Sequence, residues 1–208
     1  RGAWGGVDNA EAAATRAGLV GWWTMDSNDI NGTTVYDKSG NNLRGTSAGS
    51  PPLREGKINQ SLNFALAQSV NVFTGNSATS TLAPTQAITV STWIRRTTQP
   101  ANSGTYEWIV SNTNSVVPSN GWMIFYHANV GYRLGINNYF NGSFKPAAFN
   151  DPLMSDGKWH SLIGTYDKQN IRLYFDGVAQ TPVAYTTAIN YARNTTKEQF
   201  ASCWKKTI

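Results

Sequence analysis

The sequence predicts an all-β fold, a two-sheet antiparallel β-sandwich with jelly-roll connections, preceded by a short N-terminal helix. Three observations carry this expectation. From Leu19 onward, apolar side chains recur with period two, the spacing of a strand with one buried face. Clusters of Gly, Asn, Asp and Ser interrupt the chain about every ten residues, as turns between short strands do. The 208 residues are 12% aromatic but only 14% charged, with eight tryptophans, a composition that suits a large packed core and neither a disordered chain nor a coiled coil. A chain of this length buries roughly 70% of the surface its unfolded form exposes.

The elements follow in order. Residues 8–18, DNAEAAATRAG, carry the helix signal: Asp8 stands three residues before Glu11 as a capping box, alanines follow, and Gly18 suits a left-handed stop. So short a helix is marginal alone and must dock or serve as a lead-in. Residues 1–18 therefore form an N-terminal extension, and 19–208 the sandwich. The first strand is Leu19–Met25. In Ser61–Leu66, Leu62, Phe64 and Leu66 share a face. In Ala87–Arg96, Ile88, Val90, Thr92 and Ile94 point one way, while Thr89, Ser91, Trp93 and Arg95 point the other. Tyr106–Ser111, Trp122–His127, Val130–Ile136 and Trp159–Tyr166 continue the series. In Asn170–Asp176, Ile171, Leu173 and Phe175 alternate with Arg172 and Tyr174, and Asp176-Gly177 supplies a tight turn. With no helical pattern between these strands, two packed antiparallel sheets are the economical solution.

Charge and cysteine content narrow the function classes. The net charge is +5. The basic residues are scattered, with pairs such as Arg95-Arg96 and Lys205-Lys206 the longest runs, so no clustered nucleic-acid footprint is expected. No apolar run approaches the ~20 residues of a membrane span. Cys203 is the single cysteine, which excludes an intramolecular disulfide and a cysteine-rich zinc site. Asn-x-Ser/Thr sequons at Asn31, Asn59, Asn141 and Asn194 permit secretion.

Several segments in order carry a family resemblance. GLVGWWTMDSN (18–28), VYDKSGNNLRGT (35–46), GKINQSLNF (56–64), ITVSTWIRR (88–96) and DGKWHSLIGTYDKQNIRLYFDG (156–177) resemble the successive strands and loops of laminin-G-like domains. These belong to the concanavalin-A-like lectin/glucanase superfamily. The residues also have plain physical roles. Trp93 and Trp159 sit where large rings would fill a wide core, and the Asp-Gly pairs tolerate the positive φ of turns. The match ends before the C-terminus. Family members usually close with an acidic, aliphatic strand beside the first one, and residues 185–208 contain nothing of that form. A missing strand with about three inward aliphatic side chains forfeits roughly 6 kcal/mol, a large share of the 5–15 kcal/mol that typically holds a domain together. The divergent tail must fill the gap, or a strand from another chain must, or further sequence must lie beyond. An unfilled gap leaves an open sheet edge able to pair with a second copy.

The chemistry points to binding and away from catalysis. Superfamily glycosidases set paired acids on one strand, but Glu11, Glu55, Glu107 and Glu198 are far apart here and none has an acid two residues away. His127 and His160 lack a nucleophile-elbow serine. The resemblance implies a calcium site at the sheet rim, with Asp26, Asp37 and Asn41 as the matching positions, although Asp37 equally serves as a turn cap and Asp26 as a strand end. Sugar stacking needs exposed aromatic faces, for which Trp108, Trp122, Tyr126, Tyr132, Tyr139 and Phe140 are the candidates. Each could instead pack in the core, since half of every sandwich strand faces inward. The expectation is a non-catalytic module that binds a glycan or surface protein, outside the cell or on a particle surface. The alternative is a structural subunit of a filament, pilus-like fibre or virion surface, completed by strand exchange between copies.

Overall fold

A computed structural model describes residues 17–65, 69–72, 81–97, 106–113, 120–127, 131–137, 147–148 and 155–191. The expected N-terminal helix lies almost wholly outside them, as do Tyr139, Phe140 and Cys203. Among the described residues, a 3-10 turn, Ser27–Asp29, precedes fifteen strands: β1 (Ile30–Asn31), β2 (Thr34–Val35), β3 (Gly45–Ala48), β4 (Leu53–Glu55), β5 (Gln60–Leu62), β6 (Ser69–Val72), β7 (Ile88–Arg95), β8 (Tyr106–Thr113), β9 (Gly121–His127), β10 (Gly131–Ile136), β11 (Ala147–Ala148), β12 (Trp159–Tyr166), β13 (Asn170–Phe175), β14 (Val178–Ala179) and β15 (Val183–Ala184).

All pairing is antiparallel. One sheet runs β14-β13-β12-β7, with β15 also on β13, and faces a second that runs β11-β10-β9-β8. A smaller sheet, β1-β2-β3-β6, and the β4–β5 hairpin complete the fold. The core lies between the first two sheets. Leu162, Tyr166, Ile171, Leu173 and Phe175 enter it from one side; Trp122, Ile124, Tyr126, Tyr132, Leu134 and Ile136 enter from the other. On β12 and β13 the inward set alternates residue by residue, as the sequence period requires. β9 is buried on both faces, so its run from Trp122 to Tyr126 is apolar throughout.

Two backbone details fix the β14-β13-β12-β7 sheet, the front sheet. Asp176 (φ 47) and Gly177 (φ 79) both adopt positive φ, the geometry of the hairpin turn that brings Phe175 opposite Val178. Gly164 on β12 lies where the sheets come closest: a Cβ there would stand 3.0 Å from Leu134 Cδ2 and 3.4 Å from Ile124 Cδ1. A side chain at this position would push the layers apart.

One expected strand is absent. Leu19–Met25 forms no strand, and Met25 at its end adopts positive φ (63); Trp23 anchors the segment by donating from Nε1 to the Leu43 carbonyl at 2.9 Å. Of the ways in which the C-terminal gap could be filled, the structure shows one in part: residues up to Tyr191 contribute to the core. After β15, Tyr185, Ile189 and Tyr191 are buried, and side chains tie down the backbone around them. Asn137 Nδ2 donates to the Ala188 carbonyl at 2.8 Å and Asn190 N to Asn137 Oδ1 at 2.6 Å, while Tyr191 OH reaches the Pro84 carbonyl at 3.1 Å. Each buried large side chain contributes roughly 2 kcal/mol. Residues 192–208 lie outside the description.

Candidate functional site

The aromatic residues singled out by sequence divide sharply. Trp122 is 1% exposed, Tyr126 0% and Tyr132 1%. Their rings belong to the core, where no face remains for a sugar, so these three are not ligand platforms. Parity explains the error: Trp122 and Tyr126 share the inward side of β9 with Ile124. Trp108 is half-buried on β8, in register with Phe125 beside a bulge.

The proposed calcium residues do not form one site. Asp37 Oδ1 accepts from Trp22 N at 2.9 Å and Ser39 N at 2.8 Å; Oδ2 accepts from Ser39 Oγ at 2.7 Å and Leu43 N at 3.1 Å. Four donors saturate a carboxylate, and together they hold its pKa below the ordinary value despite partial burial. Asn41 turns its amide donors to the Leu19 and Val20 carbonyls at 3.1 and 2.9 Å. Asp26 serves another loop, accepting from Gln60 N at 2.8 Å. Among the described residues, no group of three His, Cys, Asp or Glu side chains could hold a metal. Asp37 and Asn41 organise one loop through these bonds, and Asp26 organises another.

A different aromatic residue is available. Trp93 on β7 is 45% exposed and stands outside the core, on the outer face of the front sheet. The alternation already assigned it there, with Thr89, Ser91 and Arg95; the size of its ring argued wrongly for the core. Trp159, also read as a core residue, is half-buried on that outer face, in register with Arg95. From the tip of the β4–β5 hairpin, Lys57 places its Nζ 5.1 Å from the centroid of the Trp93 ring, an attractive cation–π contact. Exposed Ile58 follows it on the same tip. Trp93 is also in register with Ser161 of β12, whose N donates to Asp176 Oδ1 at 2.8 Å.

On the inward side of β12, opposite to the face that carries Trp93, His160 joins two loops at the end of the strand. Its Nδ1 is 2.7 Å from Asp176 Oδ2 and its Nε2 is 3.1 Å from Asp156 Oδ1. The ring lies 4.7 Å from that of Phe175. Burial alone would lower the histidine pKa, but the bonds to Asp176 and Asp156 outweigh it and raise it above 6.5. Bonds from Lys158 N and His160 hold Asp156 down to about 2. Asp176 is also lowered: burial pushes it up, but the hydrogen bonds from His160 and Ser161 prevail. Beneath the same rim, Arg96 pairs with Glu107 at 2.7 Å and lays its guanidinium 3.8 Å from the Tyr126 ring centroid. The pair bridges β7 and β8 inside the sandwich.

Comparison with known proteins agrees with this architecture. A laminin-G-type family model of the concanavalin A-like lectin/glucanases superfamily matches residues 68–201, well over half of the chain. The chain belongs to this superfamily. No curated protein sequence matches it. Solved structures similar to the chain include domain 4 of AbnA, a GH43 extracellular arabinanase from Geobacillus stearothermophilus, in complex with arabinotriose. It is 14% identical with a TM-score of 0.61, covering 91% of this chain and 84% of that one. The binding domain of Paraclostridial Mosquitocidal Protein 1 is 15% identical with a TM-score of 0.56, covering 83% of this chain and 47% of that one. Botulinum neurotoxin type C, whose cell uptake depends on two ganglioside molecules, is 15% identical with a TM-score of 0.56, over 95% of this chain and 50% of that one. The concanavalin A-like chain thus spans about half the length of the two toxin chains. At such identities the likeness establishes the fold, and function rests on the site.

Proposed function

We propose that this domain is a non-catalytic glycan-recognition module, working outside the cell or on a particle surface, with Trp93 as its stacking platform and Lys57 as the adjoining polar contact. The observation that carries this reading is a large aromatic ring held half-exposed on a rigid strand, where a sugar's apolar face can stack without reordering the protein. Support comes from the relatives: AbnA domain 4 holds arabinotriose and botulinum neurotoxin type C interacts with gangliosides.

The carboxylates favour binding over hydrolysis. Asp156 and Asp176 approach one another through His160, but both lie below the ordinary carboxylate range. Neither can keep the proton that a glycosidase's general acid must deliver to the leaving group. Glu107 is committed to Arg96. On a glycan array, saturable binding is expected that Trp93→Ala abolishes while the unfolding midpoint stays within experimental error. Absence of binding to any glycan, or binding unaffected by Trp93→Ala, would remove this assignment.

One observation supports a second role, self-association. β7 ends the front sheet among the described residues, and its inward Ile88, Val90 and Thr92 are half-buried whereas the inward residues of β12 and β13 are buried. An eight-residue edge of this kind is a template for pairing with another strand.

A further inference from the structure

His160 presents both ring nitrogens to carboxylate oxygens, and ionised carboxylates only accept hydrogen bonds. Both contacts are therefore satisfied in one protonation state alone, the imidazolium. A neutral ring turns a nitrogen lone pair toward one of the carboxylates, which replaces a charge-assisted bond by repulsion. The two carboxylates belong to separate segments: Asp156 to the 155–158 loop, Asp176 to the β13–β14 turn. They are not equally anchored. Asp176 is also held by Ser161 N and is the closer partner at 2.7 Å. Asp156, at 3.1 Å, sits on an exposed loop whose further ties are Lys158 N to its own carboxylate and Gly157 N to the Arg96 carbonyl, both polar bonds at the surface end of β7.

We propose that His160 is a proton-operated clasp: charged, it ties the 155–158 loop to the β13–β14 turn, and on losing a proton it releases the loop at Asp156. Among the described residues, few charged groups surround the ring. The loop contributes Asp156 and Lys158, the latter 3.4 Å from Asp156; the turn contributes Asp176; Lys57 acts on Asp176 from the β4–β5 hairpin. From β7, the Arg96 side chain turns inward to Glu107, and Arg95 faces outward beside Trp159. The raised histidine pKa agrees with this geometry. If the Trp93 platform is the binding surface, an extension that rests on the function proposed above, the clasp regulates it. Asp176 adjoins both His160 and Lys57, and Lys57 covers part of the Trp93 ring, so the proton on His160 alters the charge next to the platform.

The chain has two histidines, so an NMR titration of imidazole signals, assigned by His160→Gln, reads the clasp directly. His160 is expected to titrate above 6.5, and Asp156→Asn to bring it down. Hydrogen exchange of peptides covering 155–158, corrected for its intrinsic pH dependence, should accelerate about tenfold as the ring deprotonates, the loss of one charge-assisted bond. In Asp156→Asn that pH step should vanish. Titration at or below 6.5, or an identical exchange profile in wild type and Asp156→Asn, would overturn the clasp. Glycan binding measured over the same pH range tests the extension: a midpoint matching the NMR titration supports it, and pH-independent binding refutes it. Failure to bind any glycan counts against the platform alone, because the NMR and exchange results still judge the clasp.

Discussion

Four residues show how local chemistry is overruled or exploited by its surroundings. Gly164 would be an indifferent strand residue elsewhere, but here it permits the approach of Leu134 and Ile124. Gly164→Ala should destabilise the domain by about 1–3 kcal/mol, the usual penalty of overpacking, read as a lower urea midpoint with unchanged m. His160 and Asp156 make stability depend on pH in opposite directions. The histidine pKa is raised above 6.5, so its contribution is complete below 6.5 and is lost as pH rises through the raised value. The Asp156 pKa falls from 3.8 to about 2, so its contribution is complete above 3.8 and is lost as pH falls toward 2. The clasp is therefore strongest from about pH 4 to about pH 6.5. Equilibrium unfolding of wild type and His160→Gln across pH should show their difference shrinking on the alkaline side; a difference that grows there would contradict the assignment. Trp93 was legible as an outward residue from its alternation with Ser91 and Arg95, yet ring size pulled the sequence-based reading toward the core. Period outweighs size, because cross-strand pairing fixes which way every second side chain points.

At the scale of elements, β7, β12 and β13 match the expected strands almost residue for residue, since each has one apolar face and terminates in turn-forming residues. Leu19–Met25 makes no ladder; it docks through side chains instead, Val20 and Trp23 packing against the core and Trp23 bonding Leu43, while Trp22 stays 44% exposed. The β7 edge carries a consequence for assembly. Two copies pairing antiparallel about Ser91 would set Thr89 opposite Trp93 and Val90 opposite Thr92, with no like charges facing each other. That arrangement is self-complementary, as a two-fold interface requires. Ser91→Lys would place two ammonium groups at the dyad and should shift any dimer toward monomer, as light scattering of concentrated samples would reveal. An unchanged dimer in Ser91→Lys would rule out pairing through β7.

At the scale of the whole molecule, the divergent C-terminal region raises the question of how the core is covered after β15. The segment from Tyr185 to Tyr191 supplies buried side chains in irregular backbone, and Asn137 substitutes side-chain bonds for a strand ladder. Ile189, 2% exposed, packs in this plug, and Ile189→Ala should cost about 2–5 kcal/mol. A cost near zero in chemical denaturation would mean that the tail does not seal the core. Such a plug has no period to read, which is why the sequence suggested only an absence.

The amino-acid sequence by itself determined the all-β class, most strand positions, the Asp176-Gly177 turn and membership of a lectin-like fold, because alternation and turn chemistry are local properties of the chain. Which aromatic rings reach solvent, whether Asp37 has a lone pair to spare, and how Asp156 and Asp176 meet on His160 were decided by the tertiary structure alone. These depend on register between strands remote in sequence and on how many donors converge on one atom, and neither is encoded in the spacing of residues along a single strand.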